Sequence, residues 1–449
     1  MEMKLTTGVA ILTALLMHCL SISPGIAHQQ RALNTSTSGP DHNEGSGFSL
    51  QLVTIPEGPD HNARRHSDGF LHLQRSLTTS AMDQKNSALV HGRGVVVQIG
   101  TFRSYQEVIL VVSTTSSLTW LQCEPCSPKV PQRHPLFNPD RSPSYHAIKG
   151  NSPKCHPPFE PVPGTDKCGF HLLGQEGIWA SGYMSTDHFR INYGALEPDY
   201  TFGCSHITRT FNNAGQSAGV LAVGRAPTSL VTRAAARGLT NFSYCLSHET
   251  SHRSFLQFGA DVPRMPVRYQ TTRILLPHDA HDSAYHVKLI GVSLNKRRLD
   301  GVLPEMFARR KDGQGGCIVD LGTPMTTMAQ EAYRVVEEAM WVDLKRHGAE
   351  RVELAGYGLC VMETETIKKR LPSLSLHFAE EEAALVVSPE QLFVVIDVDR
   401  KIGQVVCLAV TPGRRTIIGA LQQVDTRFVF DLKEDKLTFW PESCGQERV

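Results

Sequence analysis

The stretch Gly315-Gly316-Cys317-Ile318-Val319-Asp320-Leu321-Gly322-Thr323 decides the fold of this chain. It is an apolar run, of the kind that is buried, leading into a tight turn that carries one carboxylate. A second stretch, Val111-Val112-Ser113-Thr114-Thr115-Ser116-Ser117-Leu118-Thr119-Trp120, has the same shape, with Ser113 where the first has Asp320. Each is followed by an apolar run ending in glycine. Val220-Leu221-Ala222-Val223-Gly224 comes about 110 residues after the one, and Ile417-Ile418-Gly419 about 100 residues after the other. That separation is the size of a domain, so the repeat predicts two similar lobes facing one another across a cleft.

The intervening sequence is strand after strand. Gly94–Gly100, Glu107–Val112, Ser254–Gly259, Tyr285–Leu294, Gln404–Val410 and Arg427–Leu432 are short β-branched or alternating runs, punctuated by Gly, Pro and Asn. Gly47–Val53 alternates in the same way. Helical periodicity is local, clearest over 330–344 and around 229–237. The chain is therefore mainly β.

The 449 residues hold two to three domains of ordinary size, with enough apolar residues for a large core. A net charge of +1 gives no reason to expect nucleic acid or a membrane surface as partner. Lys4, the apolar run Val9–Leu20 and the small residues Gly25-Ile26-Ala27 form a secretory signal over 1–27, too short to span a bilayer. No later run is long enough to span. Residues 28 to about 45 are Ser, Thr, Gly, His and Asn rich, a composition that does not build a core. Eleven cysteines fit an oxidising compartment. Cys19 leaves with the signal. Of the ten that remain, Cys317 lies in the apolar run before Asp320 and reads as a small core residue, which leaves one of the other nine unpaired. Cys123-x-x-Cys126 is not followed by a second pair at zinc-ligand spacing, and His66, His134 and His188 form no metal pattern, so neither metal nor cofactor is expected. Asn34-Thr-Ser and Asn241-Phe-Ser are glycosylation acceptors in a secreted chain.

From Gly94 to Cys444 the chain resembles the pepsin-like (family A1) aspartic peptidases, in the plant nepenthesin-like subgroup. The resemblance rests on Leu118 to Cys126, Phe137-Asn138-Pro139 with Ser142 to Tyr145, Phe202-Gly203-Cys204, Phe242-Ser243-Tyr244-Cys245, Ile417 to Gln423 and the closing Trp440 to Cys444. It implies a bilobal acid-protease fold with a propeptide-like segment at 28–88 and lobes at 89–265 and 266–449. It also implies a Cys360–Cys407 disulfide in the second lobe, where both cysteines flank strands. The product would be a secreted monomer, with the vacuole as the other destination, holding a peptide or protein in its cleft.

Residue by residue, the carry-over is uneven. Asp320-Leu321-Gly322-Thr323 resembles the family's second Asp-Ser-Gly-Thr loop, which makes Asp320 the catalytic position and Gly322 and Thr323 its neighbours. The family's first loop is Asp-Thr-Gly-Ser, and Ser113-Thr114-Thr115-Ser116 stands there instead. Glycine allows close backbone approach, so Thr115 is expected to push the loop open. The family flap Tyr-Gly-Asp-Gly-Ser-x-Thr-Ser-Gly falls on Gly174-Gln175-Glu176-Gly177-Ile178-Trp179-Ala180-Ser181-Gly182, with Gly174 at the tyrosine. Gly100-Thr101-Phe102 replaces a family Gly-Thr-Pro. The family mechanism needs two carboxylates sharing a proton, because like charges about 3 Å apart cannot both ionise. Serine cannot be the base for the attacking water. Loss of one such group costs about 10²–10⁴ in rate. Two readings follow: an aspartic endopeptidase with impaired chemistry, or a catalytically inactive homologue that binds peptide or protein, as fold-related xylanase inhibitors do. In either, Ser113, Thr115, Gly174, Glu176, Gly322 and Thr323 are the expected ligand contacts.

Overall fold

Strands buried on both sides read as unbroken apolar runs, and this explains the centre of each lobe. In the computed structural model, which describes residues 47–55, 92–173, 179–194, 196–209, 217–248, 253–277, 282–310, 314–354, 357–380, 383–399 and 403–445, Gly219–Ala222 and Cys317–Val319 are buried throughout. The strand Gln106–Ser113 runs parallel to Gly219–Ala222, with Ser113 opposite Ala222. Trp120–Gln122 lies antiparallel to the same strand and parallel to Leu196–Arg209. The second half repeats each pairing. Cys317–Val319 runs parallel to Thr416–Ile418. Thr326–Ala329 is antiparallel to that strand and parallel to Val410–Gly413. The repeat seen in the sequence is thus a repeat of strand pairings.

One six-stranded antiparallel run joins the halves. Its order is Gly47–Thr54, Ser254–Gly259, Asn241–Cys245, Thr426–Asp431, Lys436–Pro441 and Gln270–Leu275. The central seam pairs Phe242 with Phe430 and Tyr244 with Phe428. The Phe242 and Phe430 rings stack with centroids 4.6 Å apart, and Tyr285 packs on Phe430 at 4.7 Å. Aromatic contacts of this kind add to the area they bury.

Two expected single strands are divided. Tyr285–Leu294 becomes His286–Val287, in the main sheet, and Leu289–Leu294, in a separate four-stranded sheet; exposed Lys288 lies at the change and a bulge at Leu289/Gly291 follows it. Gln404–Val410 splits at Ala409, where the chain leaves the Gly403–Leu408 strand for Val410–Gly413. In each case the apolar run continues while its neighbours change, which periodicity cannot reveal. Among the described residues the α-helices are Leu230–Ala235 and the longer Gln330–Arg346, with two single-turn helices at Glu365–Lys368 and Pro389–Leu392.

The disulfides are Cys123–Cys204, Cys155–Cys168, Cys245–Cys444 and Cys360–Cys407. The last joins directly opposed residues of neighbouring strands, as the resemblance implies. Among the described residues the free cysteines are Cys317, which is buried, and Cys126. The expected signal 1–27 and nearly all of the expected propeptide-like segment 28–88 lie outside the described residues. The part of 28–88 that is described, 47–55, contains the strand Gly47–Thr54 of the interlobe sheet.

Candidate active site

Ser113 ends one buried strand and Asp320 follows the other, so the repeat carries both to the same point from opposite sides. Ser113 Oγ lies 3.3 Å from Asp320 Oδ1. Both residues are buried, with relative exposures of 9% and 5%. The backbone amide of Asp320 donates to the Ile418 carbonyl and that of Val223 to the Ser113 carbonyl, so each turn is fixed to the glycine-ended strand of its own lobe.

Asp320 is held by a dense set of donors. Oδ1 accepts from Thr114 N (3.1 Å) and Gly322 N (3.0 Å), with the hydroxyls of Thr114 (3.1 Å) and Ser113 beside it. Oδ2 accepts from Thr323 Oγ1 at 2.7 Å. Oδ1 is therefore saturated, and Oδ2 is the oxygen left with a lone pair for water or a ligand donor. Ser113 is saturated as well. Its Oγ accepts from Thr115 N (3.3 Å) and Ser116 N (3.2 Å), which occupies both lone pairs. Its one proton remains for Asp320 Oδ1 or for Thr115 Oγ1, 3.1 Å away. A hydroxyl so engaged has no free electron pair with which to take a proton from water.

Thr115 does not open the loop. The side chain at 113 is short, and Thr115 fits beside it while its carbonyl accepts from Ser283 Oγ at 2.7 Å. Glycine is needed at the other loop. A Cβ at Gly322 would stand 2.9 Å from Ser113 Cβ, closer than real Cβ contacts come. Gly174 and Glu176 fall in 174–178, outside the described residues. Asn241 begins an interlobe strand, half-buried and opposite Asp431.

The sequence reading missed Thr114, Gln423 and Tyr244. Thr114 is fully buried. Its hydroxyl reaches the Val319 carbonyl at 2.9 Å and accepts from Leu321 N at 3.1 Å, tying the two loops together. Leu321, its counterpart in the second loop, has no side-chain oxygen to return the contact. Position in the repeat was the available signal. Gln423 Nε2 donates to the carbonyls of Asp320 (3.1 Å) and Ile418 (2.7 Å). Tyr244 donates to Gln423 Oε1 and so orients that amide. Burial, followed by the charge of Asp320, pushes the Tyr244 phenol well above its ordinary value and keeps it a donor. Replacing Thr114 by valine should cost about 1–3 kcal/mol, since the Leu321 amide loses its partner in a dry interface. Chemical denaturation measures this, and a change below about 0.5 kcal/mol would remove Thr114 from the interlobe contact.

His286, on the strand beside Cys317–Val319, is 2% exposed and bonds Asp282 at 3.0 Å. Arg309 already neutralises Asp282, so burial dominates, and with the charge of Arg415 it lowers His286 to about 4. The unfolded value is 6.5, so the folded state protonates at lower pH than the unfolded. The stability contributed by neutral His286 is complete above pH 6.5 and is lost as pH falls towards 4. Melts at pH 7, 5 and 4 should show His286→Gln losing less stability across this window than the natural protein. Equal losses would contradict the assignment.

A mainly β fold of two related lobes, with an Asp-x-Gly-Thr turn meeting its own repeat between them, defines a pepsin-like protein. The models of the xylanase inhibitor N-terminal and C-terminal families match residues 95–260 and 284–441. Aspartic proteinase nepenthesin-2 of Nepenthes gracilis is 28% identical over 354 residues, covering 78% of this chain and 77% of its own. Aspartyl protease family protein 2 of Arabidopsis thaliana is 28% identical, covering 80% and 73%. Among solved structures, edgp superposes with a TM-score of 0.63 at 17% identity, over 90% of this chain and 96% of its own. Basic 7S globulin from soybean gives 0.61 at 19% identity, over 89% and 98%. The chain belongs to this plant family of pepsin-like aspartic peptidases and xylanase-inhibitor-type proteins. Among the described residues no helix is long and apolar enough to cross a membrane, and no group of three or more His, Cys, Asp or Glu side chains could hold a metal ion.

Proposed function

We propose that this protein binds an extended peptide or protein segment in its interlobe cleft and hydrolyses it poorly or not at all. The supporting observation is the state of Ser113: both lone pairs are engaged by the amides of Thr115 and Ser116, and its position against Asp320 is that of the missing carboxylate. With one carboxylate there is no shared proton, so no pair of groups can deprotonate the water and protonate the scissile carbonyl together. The Asp320, Gly322 and Thr323 half keeps its hydrogen bonds and is the half that would orient a ligand through Oδ2. On this reading the lobes are 89–265 and 266–449, and Asn241 carries glycan in a secreted, monomeric protein released after residue 27.

Purified protein incubated with a denatured protein at acid pH, with and without pepstatin, tests the proposal. The expected result is no pepstatin-sensitive cleavage beyond about 10⁻² of that given by a relative with both aspartates. Full pepstatin-sensitive activity would mean that another group supplies the missing acid or base. N-terminal sequencing of the secreted form checks the processing, and an intact Met1 would contradict it.

A further inference from the structure

At the meeting of the two loops, Asp320 faces a ligand only as an acceptor. Its carboxylate is held by the amides of Thr114 and Gly322 and by the hydroxyls of Ser113, Thr114 and Thr323. All of these donors are neutral, and each of their hydrogens is used within the two loops. The Ser113 proton goes to Asp320 Oδ1 or to Thr115 Oγ1. The Thr114 hydroxyl donates to the Val319 carbonyl or to Oδ1, and that of Thr323 donates to Oδ2. A paired site keeps a shared proton with which to hold a carbonyl. With serine at 113 that proton is missing, and none of the groups on Asp320 has a hydrogen to replace it.

The same contacts leave the carboxylate without a countercharge. Asp320 is 5% exposed, and among the described residues no Lys, Arg or His side chain forms an ion pair with it. A buried anion held by neutral donors alone gains most from a cation. The acceptors on offer select which cation. Oδ1 is saturated, so a guanidinium cannot lay its fork across both oxygens. An ammonium is a compact charge with three hydrogens and needs only one carboxylate oxygen. One hydrogen can take Oδ2, and a second can take Thr323 Oγ1, which keeps its lone pairs after donating to Oδ2.

We propose that the segment bound at this site presents a primary ammonium, from a lysine side chain or from its own N-terminus, to Asp320 Oδ2. The inference rests on the peptide-binding reading above and adds the chemistry of the ligand to it.

The test starts from peptides that the natural protein retains out of a randomised library with free N-termini. Each is remade with lysine replaced by Nε-acetyl-lysine, with lysine replaced by arginine, and with the N-terminus acetylated, and the dissociation constants are measured by calorimetry. Removing the ammonium, whichever group carries it, should weaken binding by about thirtyfold or more, and arginine should not substitute for lysine. The preference should vanish in Asp320→Asn. As a measurement that needs no variant, a carbodiimide added to the natural complex should join the ammonium nitrogen to Asp320 as an amide, the carbodiimide leaving as its urea, and peptide mapping should find that bond. If the library yields no retained peptide, the peptide-binding reading itself falls. Retained peptides that bind equally without an ammonium, a preference that persists in a folded Asp320→Asn, or coupling to a different carboxylate would overturn this inference and leave that reading standing.

Discussion

Combining Ser113→Asp, Thr115→Gly and Gly174→Tyr should raise pepstatin-sensitive hydrolysis at acid pH by about 10²–10⁴ over the natural chain. The reason lies in the contacts around Asp320. An aspartate at 113 would bring a second carboxyl to the place where Ser113 Oγ now lies 3.3 Å from Asp320 Oδ1. The pair would then share a proton, because two adjacent carboxylates cannot both ionise. Ser113→Asp alone should recover little. Thr115 Oγ1 sits 3.1 Å from Ser113 Oγ, in space that the longer side chain needs. Glycine at 115 empties that space and mirrors Gly322, which closes on Ser113 from the other loop. Tyrosine at 174 restores the flap residue that the family resemblance calls for. The combined gain should exceed the sum of the single gains, since these groups act as a unit. Initial rates with and without pepstatin decide the matter. A folded triple variant that stays inert would show that the second loop has lost more than its partner.

Replacing Glu442 by alanine should be the most destabilising single change outside the site, at about 3–5 kcal/mol. Arg427 is fully buried. Its guanidinium binds both oxygens of Glu442, at 2.6 and 3.2 Å, and NH1 contacts Ser243 and Gln257 in the other half of the molecule. Trp440 Nε1 donates to the same carboxylate at 2.9 Å, and Cys444 is bonded to Cys245 two residues further on. The C-terminal segment is thus fastened across the interlobe seam by the Cys245–Cys444 bond and by the Arg427 guanidinium, which Glu442 holds from its own half. Without Glu442 the buried cation loses the carboxylate that binds it through two oxygens. The melting midpoint should fall by about 4–7 °C for a molecule of this size. Adding Arg427→Met should recover much of the loss, because a matched apolar replacement removes the stranded charge. A loss below about 1 kcal/mol for Glu442→Ala would reduce the contact to an ordinary surface pair.

The sequence by itself determined the class of fold and the position of the site. Apolar runs ending at Ser113 and Asp320 must be buried, and a run that recurs after the length of a domain places the two turns in equivalent positions. The replacement of a carboxylate by a hydroxyl is also fully legible, because it is a matter of composition at one position. Tertiary structure alone decided what surrounds those turns. Thr115 looks obstructive in one dimension, yet it fits because the side chain it meets across 3.1 Å is a serine and not an aspartate. Tyr244 and Gln423 bear on Asp320 from sequence distances that no local pattern encodes. The strand at 47–54 alternates like any exposed edge, and only the row of partners on 254–259 shows that it completes the interlobe sheet. The physical reason is common to all of these. Burial and periodicity are properties of a segment and can be read along it, whereas hydrogen-bond saturation and close packing belong to pairs of segments and exist only once the chain has folded.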